Sequence, residues 1–111
     1  MASIAWDDFE RVDMRVGEIV EAEEFPEARQ ASYRMRIDFG PLGMMESSAA
    51  IKEWYALGDL VGRRVVAVVN FPPKQIANFL SEVLVLGAIR EDGRVVLLRP
   101  DEGAELGDRI A

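Results

Sequence analysis

Two apolar runs, Val65-Val66-Ala67-Val68-Val69 and Val83-Leu84-Val85-Leu86, flank the segment Asn70-Phe71-Pro72-Pro73-Lys74-Gln75-Ile76-Ala77-Asn78-Phe79. Aromatic rings (Phe71, Phe79), amides (Asn70, Asn78) and a cation (Lys74) are the groups a recognition surface uses. Adjacent prolines cannot donate to a sheet ladder, so Pro72-Pro73 end the first run abruptly. A connection held between strands lies at the surface and can present its side chains to a ligand. The same aromatics can equally turn inward and join the core. Other chemistry is poorly provided. The chain has neither histidine nor cysteine, which removes the usual zinc ligands, thiol nucleophiles and imidazole relays. Ser32, Ser47, Ser48 and Ser81 have no histidine to activate them. The neighbouring carboxylates of Asp7-Asp8 and Glu23-Glu24 diverge in any regular element, and no Ca²⁺-loop spacing occurs. Gly58, Gly62, Gly87 and Gly93 stand too far apart for a nucleotide-binding loop. The residues describe a binder with no catalytic group, no metal and no cofactor.

The elements that must position this surface follow from pattern. Ser3 is placed to cap a short helix from Ala5 to Asp13, on which Trp6, Phe9 and Val12 form a narrow apolar stripe. Arg15 to Phe25 reads as a long, bent strand, with Gly17 permitting a bulge. Tyr33, Met35, Ile37 and Phe39 alternate with Arg34, Arg36 and Asp38, the period of a strand with one buried face. Gly40-Pro41-Leu42-Gly43 turns into a third strand, Met44 to Ala50. Ile51 to Leu60 reads as a short helical or irregular connection. The two apolar runs give further strands, and Glu91-Asp92-Gly93-Arg94 turns a hairpin into Val95 to Leu98. The tail is irregular, with Leu106 and Ile110 as anchors. Strand–strand–strand–helix–strand–strand is the order of an all-β, five-stranded OB-type barrel. A small SH3-like barrel is the alternative, although it usually lacks a helical element between strands 3 and 4.

At 111 residues the expectation is a single domain over 1–111. The net charge of −7 argues against indiscriminate nucleic-acid binding. It is concentrated: residues 1–27 hold nine acids against Arg11 and Arg15, and the remainder is balanced. A local cationic face of Arg29, Arg34, Arg36, Lys52 and Lys74 is therefore compatible with the composition. The start lacks a cationic region followed by an apolar one, and no apolar run approaches the roughly 20 residues that cross a bilayer. The cytoplasm is the expected location, without membrane insertion.

Val12-Asp13-Met14-Arg15-Val16-Gly17-Glu18-Ile19-Val20, Phe25-Pro26-Glu27-Ala28-Arg29, Val66 to Ile76 and Phe79 to Ala88 occur in one order. Together they resemble the tRNA-binding-domain family, and within it the small secretion-related chaperones. The resemblance spans roughly Phe9 to Ile110. It implies an OB-fold homodimer that keeps unfolded or export-destined polypeptides from aggregating, while relatives of the domain bind the folded body of tRNA. Asn70, Ser81-Glu82, Ser47 and Ser48 match positions that tRNA-binding relatives turn toward RNA. Val83, Leu84 and Phe71-Pro72-Pro73 depart from that pattern toward a less cationic, more apolar surface, which favours a peptide role. The expected peptide site comprises Phe25, Pro26, Tyr33, Phe71 and Phe79, with Arg29, Arg34 and Lys74 as polar partners; the alternation of Tyr33 also suits a core position. The expected RNA contacts are Arg34, Arg36, Ser47, Ser48, Lys52, Asn70, Lys74 and Ser81. Dimerisation is expected through the 1–13 and 99–111 extensions, at Trp6, Phe9, Val12, Leu106 and Ile110. No nucleotide motif appears, so holding should be passive and independent of ATP.

Overall fold

A computed structural model describes all residues, 1–111. In chain order the elements are α1 (Trp6–Glu10), β1 (Met14–Glu24), β2 (Tyr33–Asp38), β3 (Met44–Ala49), β4 (Arg64–Val68), β5 (Lys74–Ile76), β6 (Phe79–Ser81), β7 (Leu84–Val85), β8 (Gly87–Ile89) and β9 (Val95–Leu97). β1 serves two neighbours. Its first half pairs antiparallel with β4, Val16 opposite Val66, and its second half with β2, Glu23 opposite Arg34. The main sheet runs β3-β2-β1-β4-β7.

Its two ends meet at β3. The N–H of Glu82 donates to the Glu46 carbonyl at 2.8 Å, and the Glu46 N–H donates to the Glu82 carboxylate at 3.0 Å. The Ser47 hydroxyl donates to the Val83 carbonyl at 2.7 Å. The result is a nearly closed antiparallel barrel, the OB-type architecture expected from the element order. Inward residues of the main sheet and of β9 fill it, together with Phe39 just past β2; among them are Ile19, Tyr33, Met35, Ile37, Val65, Ala67 and Leu97. The 51–60 connection caps one end, burying Ile51 and Leu60 around a 3₁₀ turn at Leu57–Asp59. No helix is long and apolar enough to cross a membrane.

Several local expectations change. The bulge falls at Val20, where the register passes from Ile19–Ile37 to Glu21–Arg36. That is just after β1 exchanges one partner for the other, at Glu18, which stands opposite both Arg64 and Asp38. Gly17 serves close packing instead: a Cβ there would lie 2.6 Å from Ile37 Cγ2 and 2.7 Å from Phe39 Cε1. The helix is shorter than expected, and Ala5, not Ser3, holds the N-cap position. The Asp8 carboxylate accepts the Ala5 N–H at 2.9 Å, half of a capping box that needs no hydroxyl. The run at Val83–Leu86 contributes only Leu84–Val85 as strand. The segment after Pro72-Pro73 contains a hairpin, β5–β6, closed by Ala77-Asn78. Ala77 takes a φ of +51°, a conformation glycine usually supplies in such turns. The tail is also more regular. The N–H groups of Gly107 and Ile110 donate to Val16 and Met14 carbonyls, and Arg109 bridges Arg15, so the tail lies along β1.

Candidate functional site: a cleft on the outer face of β2 and β3

Two connections rise beside the outward face of β2–β3: residues 25–32, and the β5–β6 hairpin. In OB barrels the strand 2–3 face and the loops that follow strands 1 and 4 form the usual ligand surface. Here a cluster outside the main core fastens the two together. Phe25 (2% exposed) and Phe79 (8%) meet edge to face with ring centroids 5.3 Å apart. The Arg34 guanidinium lies over both, 5.4 Å from the Phe25 centroid and 5.8 Å from that of Phe79. Its Nη2 donates across the sheet to Glu23 at 2.8 Å, while its Nε is buried without a partner. Edge-to-face and cation–π contacts of this kind contribute about 0.5–1.5 kcal/mol each.

Beyond the cluster the two connections enclose an open cleft of about 710 Å³. Glu27, Ala28, Arg29, Gln30 and Ser32 make one wall; Lys74, Gln75, Ile76 and Ala77 make the other; Ser48, Ala49 and Ala50 form the floor. The volume suits a peptide-sized ligand. A smaller cleft of about 320 Å³ on the same outer face is lined by Glu21, Glu23, Arg34, Arg36, Glu46 and Phe79, among others.

Charge on this face is internally matched in part. Arg34 pairs with Glu23 and Lys52 with Glu24. The hydrogen bond to Glu24 is the largest of the effects that hold the Lys52 ammonium above its ordinary pKa. Arg29, Arg36 and Lys74 stand outside every ion pair. A raised Arg15, chiefly hydrogen-bonded to Asp13, lies away from the face, beside the tail.

The residues singled out from sequence fall into several places. Arg29 and Lys74 line the large cleft. Pro26 is exposed nearby, and Phe71 is exposed at 52%. Phe25 and Phe79 belong to the fastening cluster. Tyr33 lies inside the barrel, its hydroxyl donating to the Tyr55 carbonyl at 2.7 Å, so its ring is turned away from any surface ligand. Arg34, Arg36 and Ser48 are on the outer face; Ser47 is fully buried at the barrel seam. The Ser81 hydroxyl accepts the Ser48 N–H at 3.3 Å. The Asn70 side chain accepts from the Asp13 N–H at 3.0 Å and donates to the Arg11 carbonyl at 2.7 Å, tying the end of β4 to the link between α1 and β1. Trp6 is 72% exposed, with Phe9 beside it at a ring-centroid distance of 5.8 Å. Phe9, Val12, Leu106 and Ile110 are half-buried. Arg109 in the tail donates to the Glu10 carbonyl at 2.7 Å, so helix and tail adjoin. Sequence reasoning missed Gln75 and Ile76 as cleft residues; the hairpin that places them is signalled only by Asn78 in a two-residue turn.

A small OB-type barrel with an open cleft between these two connections defines a class of binding domains. The chain belongs to the family described as the putative tRNA binding domain, which matches residues 14–109. Over 99% of its length it is similar to chaperone CsaA of Bacillus anthracis, at 51% identity and a TM-score of 0.93, with the whole of that chain covered. The CsaA chaperone protein of Picrophilus torridus is similar at 52% identity and a TM-score of 0.91, over 98% of this chain and all of that one. These likenesses bear out the resemblance carried by the sequence blocks. The methionine–tRNA ligase of Bdellovibrio bacteriovorus is 37% identical over 109 residues, 98% of this chain and 16% of the ligase. The chain therefore spans only a small part of the length of the curated relatives it matches.

Proposed function

We propose that this protein is a CsaA-like chaperone that holds unfolded or export-destined polypeptides in the cleft beside the β5–β6 hairpin. The observation that carries this reading is the charge balance of the outer face. Arg34 and Lys52 are already paired with Glu23 and Glu24, leaving three cations, Arg29, Arg36 and Lys74, for phosphates. Nucleic-acid affinity rests on neutralising many phosphates, whereas an open, mixed cleft accepts extended chains with little sequence demand. Phe71, exposed between the cleft hairpin and β4, supplies an apolar contact. The cycle needs no nucleotide and no catalytic group: binding withdraws unfolded chains by mass action. The working form is a cytoplasmic homodimer joined through Trp6, Phe9 and Val12 and the adjoining Leu106–Ile110 tail. The exposure of Trp6 on a surface that helix and tail share motivates that interface.

A second reading, structure-selective tRNA binding on the same face, is favoured by the unpaired Arg29, Arg36 and Lys74 and by the family match. Competition separates the two. A fluorescently labelled, denatured client is bound first and bulk tRNA is then added. Retention of client at physiological salt supports the chaperone reading; failure of any unfolded client to bind, with salt-sensitive tRNA binding, overturns it. Phe71→Ala is expected to weaken client binding with little change in melting temperature.

A further inference from the structure

β5 is the outermost strand of its hairpin, and its three residues, Lys74, Gln75 and Ile76, all line the large cleft. The two-residue turn makes Ile76–Phe79 the closing hydrogen-bonded pair, and pairing alternates along an antiparallel ladder. Gln75–Leu80 is then a non-hydrogen-bonded pair, so the main-chain N–H and C=O of Gln75 point away from β6, off the open edge. The Gln75 side chain does not cover them: it folds along the strand and donates to the Ala77 carbonyl at 2.8 Å. An open edge is a template for another strand. This one is too short for lasting self-association and is walled by residues 27–32.

We infer that the cleft takes its polypeptide by strand addition: an extended segment pairs antiparallel or parallel with β5 through the Gln75 N–H and C=O. The inference rests on the reading of the cleft as a polypeptide site. Main-chain pairing reads no side chains, which is the property a holder of many unfolded sequences needs. The charges narrow the occupant. In a chain of net charge −7, this cleft has Arg29 and Lys74 free of ion pairs against the single acid Glu27. The segment held best therefore carries an acidic side chain near its centre.

The test uses the full-length protein and a fluorescein-labelled, end-blocked nine-residue peptide of alternating Ser and Val with one central Asp. Two further peptides carry N-methyl groups on alternate amides, one on the odd positions and one on the even. One N-methylated peptide should lose about tenfold in affinity and the other little, because only one set of amides faces β5. Gln75→Pro, which removes the outward N–H without breaking the ladder to β6, should weaken the parent peptide by about the same factor. Gln75→Ala, which keeps that N–H, should weaken binding less than Gln75→Pro does, with both variants melting like the unsubstituted protein. Replacing the peptide's Asp with Asn should weaken binding a few-fold. Equal binding of all N-methylated peptides overturns strand addition while leaving the polypeptide reading standing. Failure of the parent peptide and of a denatured client alike overturns both.

Discussion

Along β2 the side chains that point into the barrel, those of Tyr33, Met35 and Ile37, are all buried. Of those that point outward, Arg36 is exposed, and Arg34 is covered only because Phe25 and Phe79 fold over it. The interior is built mainly by neighbouring strands of one sheet, the outer cluster by three segments far apart in the chain. The first resists change because several strands and the 51–60 connection contribute to it. The second holds a hairpin against a sheet, and its loss is expected to leave the barrel folded. The main core and the proposed binding cleft thus lie on different faces of the same strand.

The largest expected effect tests that separation directly. Truncating Phe39, fully buried in the main core, to Ala should cost about 3–5 kcal/mol in urea unfolding. Phe79→Ala should cost less than Phe39→Ala, and it should raise hydrogen exchange in residues 74–81 well before the barrel unfolds. Equal losses for the two, with one cooperative exchange transition, would show a single core and erase the distinction.

Ser47→Ala probes the seam between the two faces. It leaves the Val83 carbonyl without its hydroxyl donor where β3 closes the barrel. A buried acceptor left unpaired costs about 1–3 kcal/mol. Because the seam lies between barrel and hairpin, both should loosen together; unchanged unfolding would mean that the Glu46–Glu82 bonds close the barrel alone.

The interior was legible from sequence because a period of two needs only local pattern, and the order of strands and connection sufficed for the barrel. Gly17 showed where flexibility was available but not its use, since the Ile37 and Phe39 side chains that require it come from another strand. Ser3 is a better cap by type than Ala5, yet Asp8 satisfied the Ala5 N–H and decided the start of the helix. Phe71 and Phe79 were indistinguishable as residues of one connection. What separates them is a hairpin turn at Ala77-Asn78 without the glycine that would have announced it. The blocks shared with the family located this connection, but no pattern in one chain reports that Phe25, Arg34 and Phe79 meet.

Arg34→Met keeps the stem of the side chain and removes the guanidinium. The Glu23 end of the ion pair is largely exposed and contributes little, so the loss falls on the stacking over two rings. About 1 kcal/mol is expected. Amide exchange at Phe79–Ser81 should rise, with β1 and β4 unaffected. A uniform rise across all strands would place Arg34 in the global core.

The smallest effect belongs to the Lys52–Glu24 pair. Its hydrogen bond to Glu24 raises the Lys52 pKa in the folded protein, with burial opposing and the charge of Glu24 adding to the rise. A raised folded pKa means that the stabilising contribution is complete below the pKa of the unfolded lysine and is lost as pH climbs through the folded value. The difference in stability between the unsubstituted protein and Lys52→Met should therefore be constant between pH 7 and 9 and shrink in strongly alkaline solution. Unfolding in urea at each pH measures it. A difference that persists undiminished above the folded pKa would mean that the charge of Lys52 contributes nothing and that the fit of its side chain against the outer face sets the difference. The outer face would then owe its hold on this connection to packing, and its charge balance would be easier to change without loosening the fold.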